Sequence, residues 1–168
     1  MAQTPNLPII YSTEIKSDWL DYNNHMNVAY YVLIFDLAGV DLVATLGLSP
    51  EYTAREQISW MVLENHITYN SEVSLGQEVD ISCRLLDNDG KRLHLYFEMH
   101  ARNPDGSTYL ASTLEQMAMC VDLSARKACE FPADILTHIE ALADKHEALP
   151  MPDNIGRKIG IRRKPSAG

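Results

Sequence analysis

Asp21-Tyr22-Asn23-Asn24-His25-Met26-Asn27, running straight into Val28-Ala29-Tyr30-Tyr31-Val32-Leu33-Ile34-Phe35, decides how the rest of the chain is read. A short polar turn meets a long apolar stretch. Asp and Asn side chains bond to nearby backbone and so favour turns, and Asn27 is a good cap for a helix starting at Val28. The first backbone N–H groups of a helix lack partners, and the helix dipole adds partial positive charge there. Such an end suits the oxygen of a polarised carbonyl. With the Asp21 carboxylate and the His25 imidazole beside it, the turn holds a base next to an oxyanion site, the minimum equipment for acyl transfer. The same residues also suit a plain turn and cap without chemistry, and spacing alone favours neither reading.

Val28 to Leu46 predicts a helix about 28 Å long. Apolar residues occupy nearly its whole circumference, with Asp36 and Asp41 as the exceptions. A helix apolar all round is buried, so this one is expected at the centre of the fold. Gly39 permits a close backbone approach, and Gly47 stands where a left-handed C-terminal cap is expected. Ile9 to Ile15 reads as a first strand and Val62 to Tyr69 as a second, with Trp60, Val62, Glu64 and His66 expected on one side. Val79, Ile81, Cys83 and Leu85 alternate with polar residues, as do Leu93, Leu95, Phe97, Met99 and Ala101 within Arg92 to Arg102. Asp87-Asn88-Asp89-Gly90 and Asn103-Pro104-Asp105-Gly106 are turn signals, and Tyr109 to Val121 supplies the last long strand of an antiparallel meander. A second helix is expected over Ala133 to Leu149, ended by Pro150-Met151-Pro152. Together these elements predict an α+β fold.

Composition narrows the function. The 168 residues suit one domain, expected over residues 1–150, followed by a basic tail at 151–168. The net charge of −9 argues against nucleic acid as a partner. That figure hides an asymmetry, because Arg157, Lys158, Arg162, Arg163 and Lys164 follow the last acidic residue, Asp153. The tail reads either as a solvated end or as a cover for an active-site mouth that meets the phosphates of an anionic ligand. Asp36 and Asp41 interrupt the longest apolar run, and Met1 to Asn6 lack the features of a secretory signal, so a cytoplasmic protein with no membrane partner is expected. Cys83, Cys120 and Cys129 read as reduced thiols rather than a disulfide frame or zinc site. His94 and His100 lie six residues apart on a strand, too far to share a metal, so no metal is expected. No glycine-rich phosphate loop and no Gly-x-Ser-x-Gly elbow occurs.

Asp-x-Asn-x-His-Met-Asn running into a helix with tyrosines resembles the active-site segment of hotdog-fold acyl-CoA thioesterases, the 4-hydroxybenzoyl-CoA thioesterase-like group. The likeness extends through Val62-Leu63-Glu64-Asn65-His66-Ile67-Thr68-Tyr69, Gly76-Gln77-Glu78-Val79 and Val121-Asp122, and so covers about residues 8 to 131. The Tyr22-Asn23 pair, His25 to Tyr31, and Lys91-Arg92-Leu93-His94 resemble the narrower branch associated with carnitine breakdown, thought to act on betainyl-CoA. The resemblance implies a hotdog fold, with an antiparallel sheet wrapped around the long helix. It also implies a homodimer or homotetramer with the acyl-CoA site at the subunit boundary, and no cofactor beyond the coenzyme A of the substrate.

By the same resemblance, Asp21 is the catalytic base or nucleophile and the backbone N–H of Val28 polarises the thioester carbonyl. His25 orients them or merely bonds the turn. Related sequences commonly carry Gly where this chain has Asn24, and Asn tolerates the left-handed backbone such a turn needs. Glu64 either helps align water or forms an ion pair on a sheet face. Asn23, Asn27, Tyr30 and Trp60 are candidate substrate contacts; for a quaternary ammonium group, Trp19, Trp60, Tyr30 and Tyr31, with Asp18 or Glu64, are candidates for an aromatic and anionic pocket. Lys91 and Arg92 are candidates for the coenzyme A phosphates. Two other readings stand beside the hydrolase: a 3-hydroxyacyl thioester dehydratase or hydratase on the same fold, with His25 as base, and a non-catalytic acyl-CoA-binding protein.

Overall fold

The computed structural model describes residues 7–161. Strand β1 (Ile9–Glu14) leads through a 3-10 turn (Ser17–Trp19) and the polar turn into helix α1 (Val28–Thr45). A short helix α2 (Pro50–Glu56) follows, then strands β2 (Ile58–Tyr69), β3 (Glu78–Asn88), β4 (Arg92–Arg102), β5 (Thr108–Asp122) and β6 (Lys127–Ala128), and helix α3 (Ala133–Glu147). The sheet order is β1-β3-β4-β5-β2, with every pairing antiparallel and β6 added to β5. The expected meander is therefore β3-β4-β5. The connection from β2 to β3 then carries the chain back across to β1, leaving β2 as an edge strand.

Alternation along the strands builds the core. Val79, Ile81, Leu93, Leu95, Phe97, Met99 and Leu114 point to one sheet face and are almost wholly buried. Helix α1 lies on that face through Tyr31, Ile34, Phe35, Ala38 and Leu42, spaced three and four apart as one helical stripe requires. The Phe35 and Phe97 rings meet edge to face, their centroids 6.1 Å apart. The other side of α1 is not enclosed. Val28, Val32, Leu33 and Val40 are 38–58% exposed, which corrects the expectation of a helix buried all round. One sheet covers one side of a helix, so the circumference of apolar residues exceeds what a single copy hides. Helix α1 is long and apolar enough to cross a membrane despite its two aspartates, but its inner stripe is packed on the sheet, as in a core helix.

Strand β2 corrects a second expectation. Its register with β5 slips between Val62 and Glu64, so Leu63 is an extra residue in a bulge. Trp60 and Val62 pair with Cys120 and Ala118 on the inner face, while Glu64 and His66 pair with Met117 and Glu115 on the outer face. The four side chains do not share a side. The strand also begins at Ile58, and neither α2 nor β6 was expected.

Beyond α3 the chain crosses the outer sheet face as a strap. Arg84 donates to the carbonyls of Leu149 and Pro150, the Tyr96 hydroxyl lies 2.7 Å from Asn154 Oδ1, and Asn154 Nδ2 donates to Thr113 Oγ1 at 3.0 Å. The Gly156 N–H donates to Glu115 at 2.8 Å. Arg162, Arg163 and Lys164 lie outside the described residues, as do Met1 to Asn6.

Candidate active site

The polar turn is fixed by its own backbone. Asn24 N–H donates to Asp21 O at 3.0 Å, Asp21 N–H to His25 O at 2.9 Å, and Asn24 takes a left-handed φ of 61°. Asn is one of the few side-chain-bearing residues that accepts this conformation at small cost. The turn then docks on the loop after β2, where Met26 N–H donates to Val73 O at 2.9 Å. Asn27 caps α1 through Oδ1, which accepts from Ala29 N–H at 3.0 Å, and among the described residues the Val28 N–H meets no acceptor. Asp21 Oδ1 accepts from Asn23 N–H at 2.8 Å, while Oδ2 has no hydrogen-bond partner among the described residues.

These residues border a cleft of about 280 Å³. Asp21, Asn23, His25 and Val28 line it, together with Tyr31, Tyr69, Ser71 and Glu72 from across the fold. His25 Nε2 lies 3.1 Å from Glu72 Oε2. The Tyr31 and Tyr69 rings stand edge to face with centroids 5.2 Å apart, and the Tyr31 hydroxyl donates to Ser71 O at 3.3 Å. Burial, with the neighbouring Tyr109 adding to it, pushes the Tyr31 phenol up to about 12, so it stays protonated. The cleft therefore brings Asp21, with one carboxylate oxygen unpartnered among the described residues, and Val28, with an unpaired helix-start N–H, around one space.

Other expected site residues lie elsewhere in the chain. Tyr30 stacks on Trp19 at 5.4 Å and is absent from the cleft lining, and Asn27 is occupied as the cap. Trp60 packs on Gly39 of α1. Arg92 and Met61 both pair with Met119, eight residues along β2 from Tyr69, roughly 26 Å at the rise of a strand. Arg92 is also held by Asp89, whose carboxyl its side-chain hydrogen bonds and the local backbone N–H groups bring down to about 2. Lys91 N–H donates to the same carboxylate. Glu64 faces a larger cavity of about 540 Å³ on the outer sheet face, shared with His66, His94, Glu115, Arg157 and Lys158. That is where the described part of the basic tail lies, on the sheet face opposite the core. Sequence reasoning missed Tyr69, Ser71 and Glu72. The only signal for them was the polar run Asn70-Ser71-Glu72 directly after a strand.

The family model for the thioesterase-like superfamily matches residues 15–139. The chain belongs to that superfamily. A betainyl-CoA thioesterase from Pseudomonas aeruginosa is 36% identical over 151 residues, covering 90% of this chain and 93% of the relative. A Staphylococcus aureus protein solved in complex with CoA superposes with a TM-score of 0.84 at 31% identity, covering 93% of this chain and 97% of that one. A 4-hydroxybenzoyl-CoA thioesterase mutant complexed with 4-hydroxybenzoyl-CoA has a TM-score of 0.70 at 14% identity, covering 76% and 95%, and shares the fold. The α+β hotdog architecture expected from the sequence is the one found. The protein is a thioester hydrolase acting on acyl-CoA.

Proposed function

We propose that this thioesterase hydrolyses betainyl-CoA, with Asp21 and the Val28 N–H as its working parts. The observation that carries the mechanism is the shared cleft, lined by Asp21, which has an oxygen without a hydrogen-bond partner among the described residues, and by Val28, which has an unpaired helix-start amide. The choice of acyl group is supported by the betainyl-CoA thioesterase that matches nearly end to end. A thioester carbonyl is already electrophilic, so few tools are needed. In one route Asp21 takes a proton from water as the hydroxide forms its bond to the carbonyl carbon. The oxyanion is held by Val28 N–H, the C–S bond breaks, and the proton on Asp21 returns to the leaving thiolate. In the other route an Asp21 oxygen attacks directly, coenzyme A leaves as thiolate, and water cleaves the resulting anhydride. General-base help is worth about 10²–10⁴ and one oxyanion donor about 10²–10³ in rate. Together they lower the barrier by roughly 5 to 9 kcal/mol if the effects add.

A second copy completes this reading. Among the described residues β2 pairs only with β5 and exposes Met61, Val62 and Leu63, while the outward side of α1 exposes Val28, Val32, Leu33 and Val40 beside Asp36 and Asp41. Pairing two β2 edges antiparallel would bring the Trp60 and Arg92 end of one copy towards the Tyr69 and Asp21 end of the other. That is how Trp60, Lys91 and Arg92 would reach a substrate held at Asp21. We propose a homodimer, or a tetramer of such pairs, in the cytoplasm.

The test is free-thiol release from a panel containing betainyl-, short-chain and aromatic acyl-CoAs. Betainyl-CoA is expected to give the highest kcat/KM. A dehydratase liberates no coenzyme A and a binding protein turns nothing over, so thiol release from none of the panel would overturn the proposal. In single turnover in ¹⁸O-water, label in the Asp21 carboxylate identifies the anhydride route with water attacking the Asp21 carbonyl carbon; attack on the substrate's acyl carbon labels only the product acid in either route.

A further inference from the structure

Beside the reacting atoms, the cleft has a second group of residues that the hydrolysis itself does not use. Glu72 and Tyr69 line the same space as Asp21, and Tyr31 stands against Tyr69. Among the described residues no lysine or arginine lines this cleft. Its formal charge therefore comes from two carboxylates, with His25 as the one basic group.

We infer that Glu72 and Tyr69 select for a cationic acyl group, recognising a quaternary ammonium by charge and by the tyrosine π face. The inference rests on the proposed hydrolysis at Asp21 and assigns the acyl end of that cleft. A trimethylammonium group has no N–H to donate, so hydrogen-bond acceptors cannot single it out. What attracts it is a nearby negative charge and the electron-rich faces of aromatic rings. Tyr69 is half exposed at the cleft and is held in orientation by Tyr31, whose hydroxyl is tied to Ser71. His25 Nε2 beside Glu72 Oε2 holds that carboxylate in place, and a neutral imidazole donating there leaves the carboxylate charge intact. The same arrangement disfavours acyl groups that end in a carboxylate, which would face Asp21 and Glu72 together. Of the aromatics expected for this task from the sequence, Tyr31 lines this cleft, whereas Trp19, Tyr30 and Trp60 of the same copy do not.

The experiment compares betainyl-CoA with 3,3-dimethylbutanoyl-CoA, in which carbon replaces the quaternary nitrogen. The two acyl groups have the same shape and differ by one charge. The wild type is expected to prefer betainyl-CoA in kcat/KM. Glu72→Gln, at an exposed position, is expected to lower the ratio of the two kcat/KM values about tenfold, mostly through KM for the cationic thioester. Tyr69→Leu, which keeps apolar bulk without a π face, is expected to lower the ratio several-fold. If Glu72 only holds the turn through His25, both thioesters lose equally and the ratio stays fixed, which overturns the inference. A wild type that cleaves both thioesters equally well also overturns it while leaving hydrolysis intact. Cleavage of neither overturns the proposed function with it.

Discussion

The indole of Trp60 rests on the bare Cα of Gly39: a Cβ built at position 39 falls 2.9 Å from Trp60 Cη2. This contact sets how close α1 approaches the edge strand β2, and it explains a glycine in the middle of an 18-residue helix. Alanine would gain about 1 kcal/mol of helix propensity there. Overpacking against a rigid ring costs about 1–3 kcal/mol. The Gly39→Ala protein is therefore expected to be about 1 kcal/mol less stable in urea unfolding, with altered tryptophan emission. Adding Trp60→Leu should recover part of the loss. A variant more stable than wild type would show that the helix moves freely over β2.

Asp21→Asn isolates the chemistry from the fold. The amide oxygen of Asn can still accept from the Asn23 N–H, so the turn keeps its internal bond. What it loses is basicity and nucleophilicity. A fall in kcat of about 10²–10⁴ with little change in KM is expected, together with an unchanged circular dichroism spectrum. Full turnover by this variant would remove Asp21 from the mechanism.

Stability should fall on mild acidification through His146. This residue is buried, and its Nδ1 accepts from Leu85 N–H at 3.0 Å, tying α3 to β3. Burial chiefly, then the Arg84 and Lys145 cations, hold its imidazole below the ordinary histidine range. The folded state thus favours neutral His146, whereas the unfolded chain protonates it near 6.5. Its contribution is complete above about 6.5 and is lost as pH falls through the lowered folded value. His100, also lowered by burial, adds to the same slope. Thermal unfolding between pH 7.5 and 5 should show a declining Tm, with a shallower decline in His146→Gln. Identical slopes would remove His146 as a source.

What the sequence made legible is what depends on neighbours in the chain. The alternation of β4 runs from Arg92 to Arg102 as expected, because period-two burial is written residue by residue. The turn at Asp21, the Asn27 cap and the left-handed Gly47 are equally local. The bulge at Leu63 was not legible: one inserted residue reverses the facing of Glu64 and His66, and nothing in the pattern of β2 marks the slip. Helix α2 is only seven residues long, too short for periodicity to separate it from a loop. At the site, Asp21 and His25 stand four residues apart on one turn, while Glu72 reaches His25 only because the turn docks on the loop after β2. Lys91 and Arg92 are a different case. Their charge suits phosphate, but sequence does not reveal that Asp89 already holds Arg92 or that both lie at the far end of the sheet.

The free edge of β2 gives the last prediction. An edge strand of 12 residues that exposes Met61, Val62 and Leu63 invites pairing with another strand, and charged side chains are the usual protection against it. Here those positions are apolar, and α1 exposes Val28, Val32, Leu33 and Val40 as well. The double variant Met61→Lys, Leu63→Lys would place two like charges beside their counterparts across a two-fold pairing. Each side chain is about half exposed in the single copy, so little of its own core is disturbed. Light scattering after gel filtration is expected to give a dimer or tetramer for the wild type and a monomer for the variant. Thiol release should fall in parallel, because Trp60, Lys91 and Arg92 would no longer approach the neighbouring Asp21. A wild type that is monomeric and fully active would show that one cleft suffices, and these three residues would then have no route to the substrate.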